Sequence, residues 1–152
     1  MNKLKFLCMM SLFVFFSSIG GMAQTKSNND CRIDEPMKTR SDNFIFEKDT
    51  PWQSAGEGVT RQILGYDGNL MMVKVKFEKG AIGALHHHYH TQCTYVASGK
   101  FEFTIGGVKK IVSAGDALFK QPDIEHGCVC LEAGVLIDTF SPMRADFLTD
   151  KK

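Results

Sequence analysis

From Val59 onward the chain alternates short apolar runs with turn residues, and this pattern constrains the fold more than any other feature. Gly, Asp or Pro separates neighbouring runs, which cover 59–66, 70–78, 94–98, 101–105, 108–112, 117–120, 126–132 and 135–141. No run before Pro142 has the period of an amphipathic helix. Many short strands at this turn spacing predict an all-β jelly-roll barrel, with 143–148 as a short helix over one end.

The composition is that of an ordinary globular domain and does not favour a nucleic-acid partner. The chain has 152 residues, of which 43% are hydrophobic and 23% are charged, and this length is enough for one domain with a buried core. Its formal net charge is +1 and it contains no basic run. Because nucleic-acid-binding proteins present a basic patch or stripe, we expect no nucleic-acid partner.

The first 23 residues have the layout of a secretory signal peptide. Two lysines precede an apolar run over 6–19, and Gly21 and Ala23 supply the small residues of a cleavage site. The run is shorter than the about 20 apolar residues that a membrane-spanning helix needs, so an uncleaved anchor is the less favoured alternative. We therefore expect cleavage before Gln24 and export across the inner membrane to the periplasm.

Beyond the signal over 1–23, the sequence predicts a polar arm over 24–41 and one domain over 42–152, whose motif-bearing core is 59–141. A short edge strand is expected within 43–52. After signal cleavage we expect no membrane contact. The sequence does not distinguish free thiols from the three possible pairings of the four remaining cysteines, Cys31, Cys93, Cys128 and Cys130.

Three alternating histidines, His86, His88 and His90, carry the most distinctive chemistry, and Gln92 continues their alternation. Alternate side chains of a strand share one face, so we expect these four groups to project in one direction from a single extended segment. Such a cluster is suited to a divalent metal, whereas an exposed histidine-rich strand is the alternative. His87 points the other way and is expected to be structural.

The spacing of these residues resembles the first motif of the cupin family. Glutamine stands where the family most often has Glu in the series Gly80, five residues, His86, one, His88, three, Gln92, six, Gly99. The second motif is matched by the series Gly115, five residues, Gln121, one, Asp123, two, His126, three, Cys130. There Gln121, Asp123 and Cys130 replace the usual Pro, Gly and Asn. The resemblance implies a single cupin jelly-roll β-barrel, flanked by a polar N-terminal arm and a short C-terminal segment.

By this resemblance the metal ligands are His86, His88, Gln92 and His126, although His90 could replace one of the first two. Three neutral imidazoles and one amide oxygen leave one or two coordination positions open, as a catalytic metal requires. Glutamine in place of Glu removes a negative charge, so the bound metal stays more electrophilic. The ion could be Zn²⁺, Ni²⁺, Mn²⁺ or Fe²⁺. The resemblance also implies a homodimer.

Within the cupins, the chain is similar to the KdgF-type pectin-degradation proteins. The stretches that carry this likeness are FEKGAIGALHHHYHTQCTYVASGKFEF and EHGCVCLEAGVLIDTFSPMRADFL. It implies an isomerase-type enzyme that linearises 4,5-unsaturated monouronates from pectin or alginate lysis into open-chain 4-deoxy-5-keto-uronates. It also maps the family's catalytic positions onto Asp138, Phe140 and Arg144.

These three residues have chemical roles that do not depend on the family. Asp138 interrupts an apolar run, and a carboxylate inside a strand is costly unless it is paired or functional. It could relay a proton, while Arg144 binds a substrate carboxylate and Phe140 forms an apolar wall. The alternative is an Asp138–Arg144 ion pair that closes the barrel end, with Phe140 in the core. A metal-dependent dioxygenase and a non-enzymatic sugar- or metal-binding cupin are the competing functions.

Overall fold

The computed structural model describes residues 39–149, and its regular structure consists almost entirely of β-strands. A 3₁₀ turn at Glu47–Asp49 precedes the strands, and a second one at Ala145–Phe147 follows them. The strands are β1 (Gln53–Gly56), β2 (Val59–Tyr66), β3 (Met71–Phe77), β4 (Ile82–His86), β5 (Thr91–Ile105), β6 (Val108–Ser113), β7 (Ala117–Lys120) and β8 (His126–Ser141).

The strands form one antiparallel sheet that folds over on itself. Its order is β1-β2-β3-β8-β5-β6, with β4 paired to β8 and β7 paired to β5. The long strands β5 and β8 each belong to both halves of the fold. The last part of β8 pairs with β3, whereas its first part pairs with β4. The all-β jelly-roll prediction is therefore confirmed.

A glycine pair forms the corner at which β5 and β8 pass between the two halves. Gly99 has a φ of 83°, and a Cβ on it would lie 2.6 Å from the Cα of Gly134. A Cβ on Gly134 would lie 2.2 Å from the backbone oxygen of Ser98. Only glycine fits such an approach of two backbones. The turn predicted at Gly99 is thus a bend within one strand, and the separate strands predicted over 94–98 and 101–105 were wrong.

The core lies between the two halves of the sheet. A larger cluster is packed around the fully buried Phe101, with Val96 and Leu136 against it. A smaller cluster of Met71, Val73 and Phe140 lies towards the end of the barrel at which the C-terminal 3₁₀ turn packs. Burying these side chains is the main favourable term in folding.

The segment that precedes β1 lies across β2 rather than pairing with it. The predicted edge strand within 43–52 was wrong, because the chain forms the 3₁₀ turn there instead. The reason is the buried amide of Gln62, whose Nε2 donates hydrogen bonds to the backbone oxygens of Glu47 at 3.1 Å and Thr50 at 2.7 Å. A buried amide has to find such partners. The short C-terminal helix predicted over 143–148 forms as a 3₁₀ turn.

Several sequence predictions fall outside the described residues and stay predictions. The signal peptide over 1–23, nearly all of the arm over 24–41, and Cys31 belong to this group. Among the cysteines that the structure describes, Cys93 is exposed and Cys128 and Cys130 are buried, all three as free thiols. Within residues 39–149 no helix has the length and apolar character needed to cross a membrane.

The glycine corner is tested by Gly134→Ala. The added methyl group has no room beside Ser98, so we expect the free energy of unfolding to fall by about 3 kcal/mol or more. Gly68→Ala is the matched control, because its Cβ would meet nothing within 4 Å. Urea unfolding followed by circular dichroism measures both variants. Equal midpoints for the two would contradict this account of the corner.

Candidate metal centre

The histidine segment changes direction where it passes from one half of the sheet to the other. Strand β4 ends at His86, residues 87–90 form a loop, and β5 begins at Thr91. The prediction of one extended segment with all its polar groups on one face was therefore wrong. The physical reason is pairing: β4 pairs with the first part of β8, whereas the start of β5 pairs with its end and with β7.

Three histidines converge in spite of this turn. Ring nitrogens of His86, His88 and His126 all lie within 4.8 Å of one another. His90 is outside this cluster, since it is buried and stacks on Tyr89 with ring centroids 3.9 Å apart. His87 is exposed. The structure thus brings together the three histidines to which the motifs point and leaves the alternative ligand outside.

Backbone carbonyls determine which ring nitrogen of each histidine carries the proton. In all three rings Nδ1 lies within hydrogen-bond distance of the backbone oxygen of a residue two positions away, at 2.8 Å for His86 and His126 and 3.2 Å for His88. A carbonyl oxygen only accepts, so Nδ1 donates and Nε2 keeps its lone pair. Burial lowers the pKa of His88, and it lowers that of His126 to about 4. Both rings are therefore neutral at neutral pH, which is the form that binds metals.

The side-chain amide of Gln92 adds a fourth donor atom. Its Nε2 donates to Oδ1 of Asp138 at 2.9 Å and to Oγ1 of Thr94 at 3.3 Å. This orientation points Oε1 at Nε2 of His88, 3.1 Å away, and at Nε2 of His126, 3.2 Å away. Oε1 of Gln92 therefore faces Nε2 of His88 and Nε2 of His126, and none of these three atoms carries a proton. Such an arrangement calls for a cation, and imidazole and amide donors suit a divalent transition metal.

A charged pair joined by a hydroxyl group lies on the opposite side of Gln92 from the histidines. Nζ of Lys120 donates to Oγ1 of Thr94, which in turn donates to Oδ1 of Asp138. Lys120 is only 1% exposed and lies 5.1 Å from the ring centroid of Phe103. Burial lowers the pKa of Lys120, while the carboxylate of Asp138 raises it. The two buried charges compensate each other through Thr94.

Lys120 and Thr94 were not among the predicted site residues. Thr94 lies two positions after Gln92 on β5, so it shares the inward face. Lys120 ends the short strand β7, where Leu118 marks the face that points inward. A charged residue at an inward position of an apolar strand was the signal that could have identified it.

A cavity of about 370 Å³ opens beside the metal centre. It is lined by His86 and Gln92 and by the three residues predicted to be catalytic, Asp138, Phe140 and Arg144. Phe140 also belongs to the smaller core cluster, so it is both a cavity wall and a core residue. Its ring centroid lies 5.7 Å from that of His88.

The predicted alternative, an ion pair between Asp138 and Arg144, does not form. Arg144 donates from Nε and Nη2 to the two carboxylate oxygens of Asp146, at 2.9 and 2.8 Å. These charge-assisted bonds lower the pKa of Asp146. Within residues 39–149, Asp138 takes its hydrogen bonds from Gln92 and Thr94, both at Oδ1. Its second oxygen, Oδ2, accepts no hydrogen bond from these residues, and Asp138 lines the cavity.

A second arginine, Arg61, also lines the cavity and was missed by sequence analysis. It lies on the inward face of β2 between Val59 and Ile63, which belong to the core clusters. Its guanidinium carbon is 3.8 Å from the centroid of the Phe147 ring, and that of Arg144 is 4.4 Å from the same centroid. The alternation of Arg61 with apolar neighbours was the available signal.

The loop before β8 shows why the second motif tolerates an aspartate. Asp123 has a φ of 60°, a left-handed conformation that favours glycine and that Asp adopts more readily than most residues. Its backbone N–H donates to the backbone oxygen of His88 at 2.8 Å. This bond ties the loop that leads to His126 to the loop that carries His88.

Known proteins resemble this chain in both sequence and structure. The Cupin domain family matches residues 73–140. The pectin degradation protein KdgF of Dickeya dadantii (strain 3937) is 50% identical over 107 residues, which cover 69% of this chain and 97% of that protein. The crystal structure of an RmlC-like cupin from Shewanella frigidimarina NCIMB 400 matches with a TM-score of 0.71 and 45% identity, over 72% of this chain and 99% of the other. The structure of KdgF from Halomonas sp. matches with a TM-score of 0.67 and 38% identity, over 70% and 99%.

The metal centre is tested by the effect of added ion on stability. After treatment with a chelator, addition of Zn²⁺ or Ni²⁺ should stabilise the protein, by about 2.7 kcal/mol at a hundredfold excess over the Kd. His126→Ala removes a buried donor and should abolish most of this gain. His87→Ala is the matched control, since His87 is exposed and outside the cluster, and it should keep the gain. Thermal unfolding followed by circular dichroism measures all three proteins. An equal response of His126→Ala and the unchanged protein would place the ion elsewhere.

Proposed function

We propose that this protein, which belongs to the KdgF-type cupins, converts 4,5-unsaturated monouronates into open-chain 4-deoxy-5-keto-uronates. Family membership rests on the Dickeya relative, of which the chain covers 97% at 50% identity, and it confirms the resemblance that the motifs predicted. That relative is named a pectin degradation protein. The unsaturated monouronates released by pectate or alginate lyases are the corresponding substrate class.

One observation carries the proposal. Asp138, Phe140 and Arg144, to which the family resemblance assigns catalysis, line the same cavity as His86 and Gln92. A proton-transferring group, an apolar wall and a cation therefore surround one volume beside the candidate metal centre. A uronate presents hydroxyl groups, a ring face and a carboxylate, which match these three features.

His86, His88, Gln92 and His126 would hold the divalent ion. An ion held there supplies Lewis-acid polarisation of a sugar oxygen. The protein contributes the placement of its donors. Three Nδ1 protons bound to backbone carbonyls keep the imidazoles oriented, and Asp138 keeps the Gln92 oxygen turned towards the histidines.

The proton balance of the reaction requires one group that both takes and gives a proton. Opening of the hemiacetal removes the proton of the anomeric hydroxyl, forms the aldehyde and breaks the bond between C1 and the ring oxygen. The ring oxygen stays on C5 as an enolate, which becomes the ketone when C4 gains the proton taken from the anomeric hydroxyl. We assign both transfers to the second oxygen of Asp138, since its Oδ1 is held by Thr94 and Gln92. No atom or electron is gained or lost overall.

Two further residues position the sugar in this proposal. Phe140, which lines the cavity beside His88, excludes water from one side of the substrate. The guanidinium carbon of Arg144 lies 5.7 Å from the centroid of the Phe140 ring, so Arg144 brings positive charge to the mouth of the cavity. A homodimer, and a periplasmic location after removal of residues 1–23, complete the proposal.

The reaction is tested by following the ultraviolet absorbance of the conjugated double bond in monomers from both pectate and alginate lysis. The full protein, loaded in turn with Zn²⁺, Ni²⁺, Mn²⁺ and Fe²⁺, should remove the absorbance faster than the spontaneous reaction. Asp138→Asn should lower kcat by about 10²–10⁴-fold, as expected for the loss of an acid–base group. Asp49→Asn, at an exposed position on the first 3₁₀ turn, is the matched control and should keep full activity.

Metal content measured on the same samples separates two effects of Asp138→Asn. A variant that keeps its metal but loses turnover supports proton transfer by Asp138. If the protein does not accelerate the loss of absorbance with any of the metals or either sugar, the proposed reaction is contradicted.

A further inference from the structure

We infer that Arg61, rather than Arg144, is the principal anchor of the substrate carboxylate, so that Arg61 sets the preference of the cavity for acidic sugars. This inference rests on the proposed function, because it concerns the substrate of the same cavity. It assigns a role to a residue on β2, far in sequence from the C-terminal stretch that carries the catalytic resemblance.

Arg144 is already engaged by a carboxylate of the protein itself. Its Nε–Nη2 edge, which binds a carboxylate with two parallel hydrogen bonds, is taken by the carboxylate of Asp146 at 2.9 and 2.8 Å. The Arg144 side chain is only 14% exposed, so little of it remains for a ligand. A substrate carboxylate would have to displace Asp146 before it could use that edge.

Among the described residues both terminal nitrogens of Arg61 are without a hydrogen-bond acceptor, whereas one of the two in Arg144 is engaged. Nε of Arg61 donates to Oε1 of Gln53 at 3.1 Å. In the part of the chain that the structure describes, its two terminal nitrogens donate no hydrogen bond, and no carboxylate lies within ion-pair distance of it. The edge formed by Nη1 and Nη2 is therefore open to an acidic ligand. Because a guanidinium stays charged at any physiological pH, this group is a permanent cation.

An excess of positive charge lies at the mouth of the cavity. Arg61 and Arg144 both lie against the ring of Phe147, and among residues 39–149 Asp146 is the one carboxylate that forms an ion pair with Arg144, whereas none does so with Arg61. Two positive charges and one negative charge leave an excess of one positive charge. Burial lowers the pKa of Arg61, the carboxylate of Asp146 raises it and Arg144 lowers it, so the direction is downward in spite of the nearby carboxylate. One ligand carboxylate would neutralise the group.

Arg61 lines the same cavity as residues of the candidate metal centre. Arg61 projects inward from β2, and the same cavity of about 370 Å³ reaches from it to His86 and Gln92. A volume at the small end of the range for ligand sites suits one sugar ring rather than a long chain. A sugar anchored by its carboxylate at Arg61 would therefore direct its remaining oxygens towards the candidate metal ligands.

Binding of a matched pair of stable sugars tests this inference without turnover. Galacturonate and galactose differ at C6 alone, where a carboxylate replaces a neutral hydroxymethyl group. Calorimetric titration of the metal-loaded full protein should give at least tenfold tighter binding of galacturonate. Arg61→Gln should remove most of that preference while changing galactose affinity by less than about twofold, as expected for the loss of a charge-assisted bond. Arg61→Lys keeps the charge without the bidentate edge and should have an intermediate preference.

Arg40→Gln is the matched control, because it removes one positive charge from an exposed residue and should leave both affinities unchanged. The inference is overturned if Arg61→Gln keeps the full preference, if it weakens both sugars equally, or if the unchanged protein shows no preference. Should Arg61→Gln fail to fold, the preference of Arg61→Lys decides the question alone.

A kinetic measurement keeps this inference separate from the proposed reaction. With unsaturated monouronates, Arg61→Gln should raise KM by tenfold or more with kcat nearly unchanged, because it removes binding that ground state and transition state share. Suppose that the unchanged protein has no linearising activity, but Arg61→Gln removes its preference for galacturonate. The role of Arg61 as carboxylate anchor is then supported, and the proposed reaction is contradicted. If the unchanged protein is active and Arg61→Gln leaves KM unaffected, the proposed reaction is supported and the role of Arg61 as carboxylate anchor is contradicted.

Discussion

The orientation of one side-chain amide connects the candidate metal centre to the buried carboxylate. Gln92 turns its oxygen to His88 and His126 because its nitrogen is held by Asp138 and Thr94. A glutamate at this position, which is the residue that the cupin motif more often has, would bring a second acceptor to within about 3 Å of the Asp138 oxygen, and two such acceptors repel each other. The residue types at positions 92 and 138 therefore depend on each other. The Gln92 oxygen belongs to the candidate ligand set, while its nitrogen donates to the proposed acid–base group, Asp138.

The fold creates that meeting point by bending its two longest strands. Gly99 and Gly134 let β5 and β8 cross from one half of the sheet to the other. His126, at the start of β8, then lies opposite His86 at the end of β4, while Asp138 lies near the far end of the same strand. The ligands and the carboxylate come from different parts of the sheet, which makes their geometry a property of the whole barrel rather than of a loop.

The strand-rich architecture and the meeting of His86, His88 and His126 could be predicted from the sequence because both have local signals, namely alternation and motif spacing. The bend at Gly99 could not be told from a turn, since a glycine with positive φ serves either purpose. The exclusion of His90 was also hidden, because alternation does not reveal where a strand ends. Arg61 and Lys120 are single charges at inward positions of their strands. The groups that they contact, the Phe147 ring for Arg61 and Thr94 with Asp138 for Lys120, belong to other parts of the sequence.

Anomalous diffraction from crystals of the full protein loaded with Zn²⁺ tests the central claim most directly. The account predicts one ion at about 2.0–2.2 Å from Nε2 of His86, His88 and His126, with the oxygen of Gln92 as a further ligand. An ion coordinated by His90, or one that leaves Gln92 uncoordinated with its amide reversed, would contradict the claim that the Asp138 network sets this ligand.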